Sequence, residues 1–177
     1  SGKLSCTTAD DIKEKLSERI DGIILGAQCE LGLESTVIDC SSNACNLMRL
    51  GSIPLEEIQD FLNKKEIGGF NSEGIIKSPG QLLSHYSPDS RILLNEKIPK
   101  SDDLYLGFGP HKDGTRGLNL SETGNLKEAA RNLFSHLHKL DRISKKLGGK
   151  TIKVAPIPNK GLGISINDRL ERASRLK

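Results

Sequence analysis

The chain has 177 residues, 26 Lys and Arg against 23 Asp and Glu, a formal charge of +3, few aromatic side chains and no tryptophan. That length admits one large domain or two small ones, with a core built from Leu, Ile and Val. The mild charge, with no Lys/Arg block and no basic–aromatic interleaving, permits a nucleic-acid partner without arguing for one. No apolar run approaches the roughly 20 residues of a membrane helix. No signal peptide is read at the start, so the expected location is cytoplasmic, with no membrane partner.

In chain order, Ser1 to Thr8 reads as a small-polar loop running into a helix. Thr7 or Thr8 is placed to cap it, Asp10 and Asp11 suit the positive end of its dipole, and Ala9, Ile12, Leu16 and Ile20 form its apolar stripe. Free backbone N–H groups and hydroxyls converging at such a start can also receive a phosphate, although capping is the simpler reading. Gly22 to Gly26 reads as a short apolar strand. The β-branched run Leu31 to Cys40 and the return Ala44 to Arg49, turning at Ser41-Ser42-Asn43, read as a hairpin. Pro54 opens a helix with Leu55, Ile58, Phe61 and Leu62 inward, and Asn63 to Gly74 reads as loop.

The stretch Ile76 to Pro88 holds two prolines nine residues apart together with Leu82, Leu83, His85 and Tyr86, so it reads as an extended strap that touches a neighbour. Beyond it, Arg91 to Leu94 and Leu104 to Phe108 read as buried strands and Gly109 to Asn119 as loop. Asn125 is placed to cap a long helix with Leu126, Ala130, Leu133, Phe134, Leu137 and Leu140 on one face. Thr151 to Ala155 is a further strand, and the closing helix Ile166 to Ala173 is expected to carry charge on its outer face. This strand–helix order predicts a small parallel α/β layer.

Candidate chemistry is sparse. Cys6, Cys29, Cys40 and Cys45 form no C-x-x-C pair and are expected to be reduced and mostly buried. His136 and His138, two residues apart on a helix, are expected on the solvated surface, and His111 lies in a loop. No nucleophile–base pair, close carboxylate pair or metal cluster is evident, so no catalytic residue is assigned. Arg49 at a strand end can clamp a phosphate or carboxylate, and Ser35 can offer a hydroxyl and a backbone N–H to a carboxylate.

The stretches Ser1-Gly2-Lys3-Leu4-Ser5-Cys6-Thr7-Thr8, Gly32-Leu33-Glu34-Ser35-Thr36-Val37-Ile38-Asp39 and Arg49-Leu50-Gly51 resemble the second half of the YrdC-type domain of threonylcarbamoyl-AMP synthases. Ser78-Pro79-Gly80 with His85-Tyr86-Ser87-Pro88 is similar to the linker of the two-domain form, and Gly161-Leu162-Gly163 with Ile166-Asn167-Asp168-Arg169-Leu170 to its accessory domain. The resemblance implies a partial YrdC-like twisted α/β domain over residues 1–67, an extended linker over 68–89, and a small Rossmann-like parallel α/β domain over 90–177. It implies the condensation of L-threonine, bicarbonate and ATP to threonylcarbamoyl-AMP and pyrophosphate, feeding tRNA modification. ATP, with Mg2+, is then a substrate, with no tightly bound cofactor. Partners are threonine, bicarbonate, the machinery that takes the adenylate, and tRNA itself.

By the same resemblance Ser5, Arg49 and Tyr86 contact ATP, Tyr86 by closing over the nucleotide, and Ser35 faces threonine. Such a reaction needs positioned charge and no covalent nucleophile. Two departures are visible: Cys6 and Leu50 stand where the family commonly has proline. Family residues around the triphosphate would precede Ser1, so the chain is expected to be inactive alone. The competing expectation is a non-catalytic tRNA- or partner-binding fragment.

Overall fold

The computed structural model describes residues 2–26, 29–41, 45–62, 86–110 and 116–175. Its largest unit is a four-stranded parallel sheet in the order β3-β6-β4-β5, formed by β3 (Ile92–Leu93), β4 (Leu104–Gly107), β5 (Arg116–Asn119) and β6 (Ile152–Val154). All four residues of β4 are buried, as expected for a strand enclosed by neighbours on both edges and covered by helix. Helix α3 (Leu126–Lys146) packs on β4, β5 and β6, and α4 (Leu162–Ser174) packs on α3 and β3.

Helix α3 forms for reasons legible in its sequence. The Asn125 side chain accepts from the Lys127 and Glu128 backbone N–H groups at 2.9 and 3.0 Å. Ala130, Leu133, Phe134, Leu137 and Leu140 repeat at helical spacing and are fully buried. Lys145 and Lys146 lie in the last turn, where the dipole favours cations.

The preceding part of the chain is a thinner layer. Helix α1 (Ala9–Leu16) starts with a capping box: Thr8 Oγ1 accepts from Asp11 N at 3.2 Å, and Asp11 Oδ2 accepts from Thr8 N at 3.1 Å. Strands β1 (Val37–Asp39) and β2 (Asn46–Arg49) form the expected antiparallel hairpin, and α2 (Leu55–Phe61) follows Pro54. This layer lies against α3 and α4. Leu4 and Leu33 join the same apolar core as the parallel sheet. Gly32 sits so close to α3 that a Cβ there would lie 2.7 Å from the Arg131 carbonyl oxygen.

The mixed α/β architecture with its parallel sheet is as expected; several local readings are corrected. Residues 22–26 pair with no strand among the described residues, and Ile24 is 99% exposed. Apolar content is not enough to make a strand when no neighbour offers backbone partners. Conversely, β5 occupies part of the expected loop 109–119: the Arg116-Gly117-Leu118-Asn119 run is too polar to announce an edge strand that pairs along β4. His138 is buried, not solvated, because the N-terminal segment covers that side of α3. Arg169 of α4 is buried too, bonded to Glu34 and the Leu50 carbonyl, and Arg172 is buried beside Asp168 of the same helix. All four cysteines are free thiols as expected, but none is buried: Cys29 and Cys40 are exposed and Cys6 and Cys45 half-buried, because they sit in the thin layer and not in the core. The strap up to His85, the loop 63–74, the turn at Ser42-Asn43 and His111 lie outside the described residues.

Candidate functional site

Ser5 follows the buried Leu4 on the loop leading into α1. Its hydroxyl donates to Glu34 Oε1 at 2.7 Å, and its carbonyl lies 3.0 Å from His138 Nε2 on α3. Burial holds the His138 imidazole below its usual pKa, so near neutral pH it is the uncharged ring that faces this carbonyl.

Glu34 belongs to the loop before β1. Its carbonyl accepts from Ser52 N at 2.9 Å. A Cβ on Gly51 would come within 2.3 Å of the Ser35 carbonyl carbon, so only glycine allows this approach. Burial pushes the Glu34 carboxyl upward, but the Arg169 guanidinium and the Ser5 hydroxyl outweigh it and hold the group below its ordinary value.

Ser35 and Arg49 are brought together by an irregularity in the hairpin. The pairing runs Asp39 with Asn46 and Ile38 with Leu47, then slips so that Val37 faces Arg49, leaving Met48 as the extra residue of a bulge. The bulge turns Arg49 toward the loop before β1. There its Nε donates to the Ser35 carbonyl and a terminal nitrogen donates to Ser35 Oγ, both at 3.0 Å. Ser35 is exposed and Arg49 half-buried, so this guanidinium–hydroxyl pair lies at the protein surface.

Tyr86, at the described end of the strap, is almost fully buried and has φ +59°, a left-handed conformation rare for an aromatic residue. Its ring lies 5.4 Å from that of Phe134 and beneath the guanidinium of Arg169, whose Cζ is 5.0 Å from the ring centroid. The next residue, Ser87, bridges to Lys3, and its N–H donates to Gly2 O at 3.1 Å. Burial raises the Tyr86 phenol pKa, which keeps it protonated.

Two residues without an assigned role join Ser5 to Tyr86 and reach the chain beside Ser35 and Arg49. Arg169, 1% exposed on α4, donates from Nε to Glu34 Oε2 at 3.0 Å, from a terminal nitrogen to the Leu50 carbonyl at 2.6 Å, and also contacts Asp168. Glu34 then carries the connection to Ser5. The sequence does hold a signal for Arg169: Ile166, Leu170 and Ala173 mark the inward face of α4, and residue 169 falls on that face. Glu34 had only its place beside Ser35 to recommend it. Among the described residues no group of three or more His, Cys, Asp or Glu side chains is placed to hold a metal ion. What the arrangement offers is a cation and hydroxyls for an anionic ligand, backed by a buried charge network.

Residues 53–175 match the family model described as threonylcarbamoyl-AMP synthase, C-terminal domain, and residues 1–51 match the Sua5/YciO/YrdC model described as telomere recombination. The threonylcarbamoyl-AMP synthase of Pyrococcus abyssi is 32% identical across 98% of this chain, which spans 55% of that protein. The Bacillus subtilis enzyme of the same name is 34% identical across 56% of this chain and 30% of its own length. The crystal structure of P. abyssi Sua5 complexed with L-threonine superposes with a TM-score of 0.82 at 28% identity, over 98% of this chain and 55% of that one. A doubly substituted variant of the same protein gives 0.80 at 27% identity, over 98% of this chain and 54% of that one. With its two matched regions in the same order and the same arrangement, the chain belongs to the threonylcarbamoyl-AMP synthase family.

Proposed function

We propose that this chain takes part in the synthesis of L-threonylcarbamoyl-AMP, as the portion of the enzyme holding the second half of the YrdC-like domain (1–67), the linker (68–89) and the accessory domain (90–177). The observation that carries this is the pairing of Arg49 with Ser35 beside the Ser5–Glu34–Arg169–Tyr86 network, which links four residues from distant parts of the sequence. In the proposed reaction, the threonine amine and bicarbonate give a carbamate and water. A carbamate oxygen then attacks the α-phosphorus of ATP, supplied as its magnesium complex, and pyrophosphate leaves.

Ser35 receives threonine and Arg49 faces the nucleotide phosphate, where its charge offsets the negative charge that develops during transfer. Ser5 lies along the ATP, and Tyr86 closes that side of the site. Because the chain spans about half the length of its Pyrococcus relative, turnover is assigned to the full-length protein, with little expected from this chain alone. The product serves threonylcarbamoyl transfer to tRNA in the cytoplasm. No described helix is long and apolar enough to cross a membrane.

The test is to supply the full-length protein with ATP, threonine and labelled bicarbonate, and to measure pyrophosphate release and the adenylate by mass spectrometry. The expected result is pyrophosphate release that requires both threonine and bicarbonate. Release that is indifferent to threonine would overturn the assignment.

A further inference from the structure

A fully buried arginine is costly to desolvate, and an apolar residue of similar volume often serves stability equally well. Arg169 is therefore not explained by packing alone. Its guanidinium reaches beyond α4 to three separate segments, two through hydrogen bonds and one through its flat face. Nε holds Glu34 Oε2, leaving Oε1 to orient the Ser5 hydroxyl. A terminal nitrogen holds the carbonyl of Leu50, the residue after Arg49. The flat face of the guanidinium covers the ring of Tyr86, which is packed on Phe134 as well. Asp168 braces the arginine, and its other carboxylate oxygen accepts from Arg172 Nε at 2.9 Å, so the fork is fixed to α4.

We propose that Arg169 is a positioning residue, through which the C-terminal unit sets the places of Ser5, Tyr86 and the chain beside Arg49 in the adenylate-forming site. This rests on the function proposed above. Arg169 touches no substrate; it acts through Glu34, Leu50 and Tyr86. Lysine cannot replace it fully, because an ammonium lacks both the two-pronged edge and the planar face.

The test compares wild type, Arg169→Met and Arg169→Lys in the full-length protein. Adenylate formation is measured per folded molecule, with separate kcat and KM values for ATP and for threonine. The expected result is a KM for ATP raised about 10- to 100-fold in both variants, the scale on which small misplacements act. Lysine, which keeps the charge opposite Glu34, restores the thermal midpoint more than it restores KM. If methionine prevents folding, the lysine variant alone decides. Wild-type turnover with unchanged KM values in the folded variants would overturn the positioning role while leaving the function standing. A wild type that forms no adenylate would overturn both.

Discussion

The backbone of Gly51 lies directly against that of Ser35: a Cβ on Gly51 would meet the Ser35 carbonyl carbon and the Thr36 nitrogen at 2.3 Å each. The contact fixes the loop before β1 onto the end of β2, so that the serine and Arg49 share one edge of the protein. It is backed by the bond from Ser52 N to Glu34 O and by Thr36, whose hydroxyl donates to Ile53 O at 2.7 Å.

Substituting Gly51→Ala therefore forces the two segments apart. The expected loss of stability is about 1–3 kcal/mol, the usual cost of overpacking, read by chemical denaturation. Turnover should fall further than the loss of folded protein explains, since Ser35 moves with the loop. An alanine variant with wild-type stability and wild-type KM for threonine would contradict the role given to this contact.

Arg49→Ala removes the cation from the exposed pair with Ser35. In the full-length enzyme, threonine-dependent pyrophosphate release should drop on the order of 100-fold, for a charge-assisted contact of roughly 2–4 kcal/mol. Arg49→Lys should recover only part of this, because an ammonium is a compact point charge without the rigid planar fork by which Arg49 reaches the carbonyl and the hydroxyl of Ser35 from two nitrogens.

Glu34 makes stability depend on pH in a definite direction. Its folded pKa lies below the ordinary value of 4.5, so the unfolded chain binds more protons in acid. Its contribution is thus fully present above that value and is lost as pH falls through the lower, folded pKa. Urea unfolding from pH 7 down to pH 3 should show Glu34→Gln less stable than wild type at neutral pH. The two curves should converge in acid; a constant gap across the whole range would exclude this account.

In the 177-residue chain, amide exchange should separate the two layers. Residues 22–26 pair with no strand among the described residues and should exchange near the unprotected rate, while β4, β6 and the centre of α3 should be slower by about a thousandfold or more. Equal protection would mean that the thin layer is as firmly held as the parallel sheet.

Helix α3 was legible in the sequence because its cap and its apolar stripe are local and agree. The hairpin was legible because the β-branched run Thr36-Val37-Ile38 precedes a Ser41-Ser42-Asn43 turn and a short return. Strand β5 was hidden, since an edge strand with one polar face looks like loop until its partner β4 is known. His138 was misread for a related reason: it is polar on a helix, and only the arrival of a segment more than a hundred residues away buries it. Arg49 and Ser35 could be singled out from residue type and place, whereas the roles of Ser5 and Tyr86 came from family resemblance; the structure links Ser5 to Tyr86 through Glu34 and Arg169, a connection that no local pattern contains.

The Arg169–Glu34 pair also bears on how such proteins can be divided or exchanged. The two family models meet between residues 51 and 53, which invites chimeras that join the N-terminal part of one homologue to the C-terminal part of another. That junction separates Glu34 and Leu50 from the arginine that binds them. A hybrid whose donor parent lacks the acidic residue would inherit a buried cation that keeps Asp168 but loses Glu34, and should be less stable than either parent. Workable hybrids should be those in which both halves of the pair come from one parent, or are restored together.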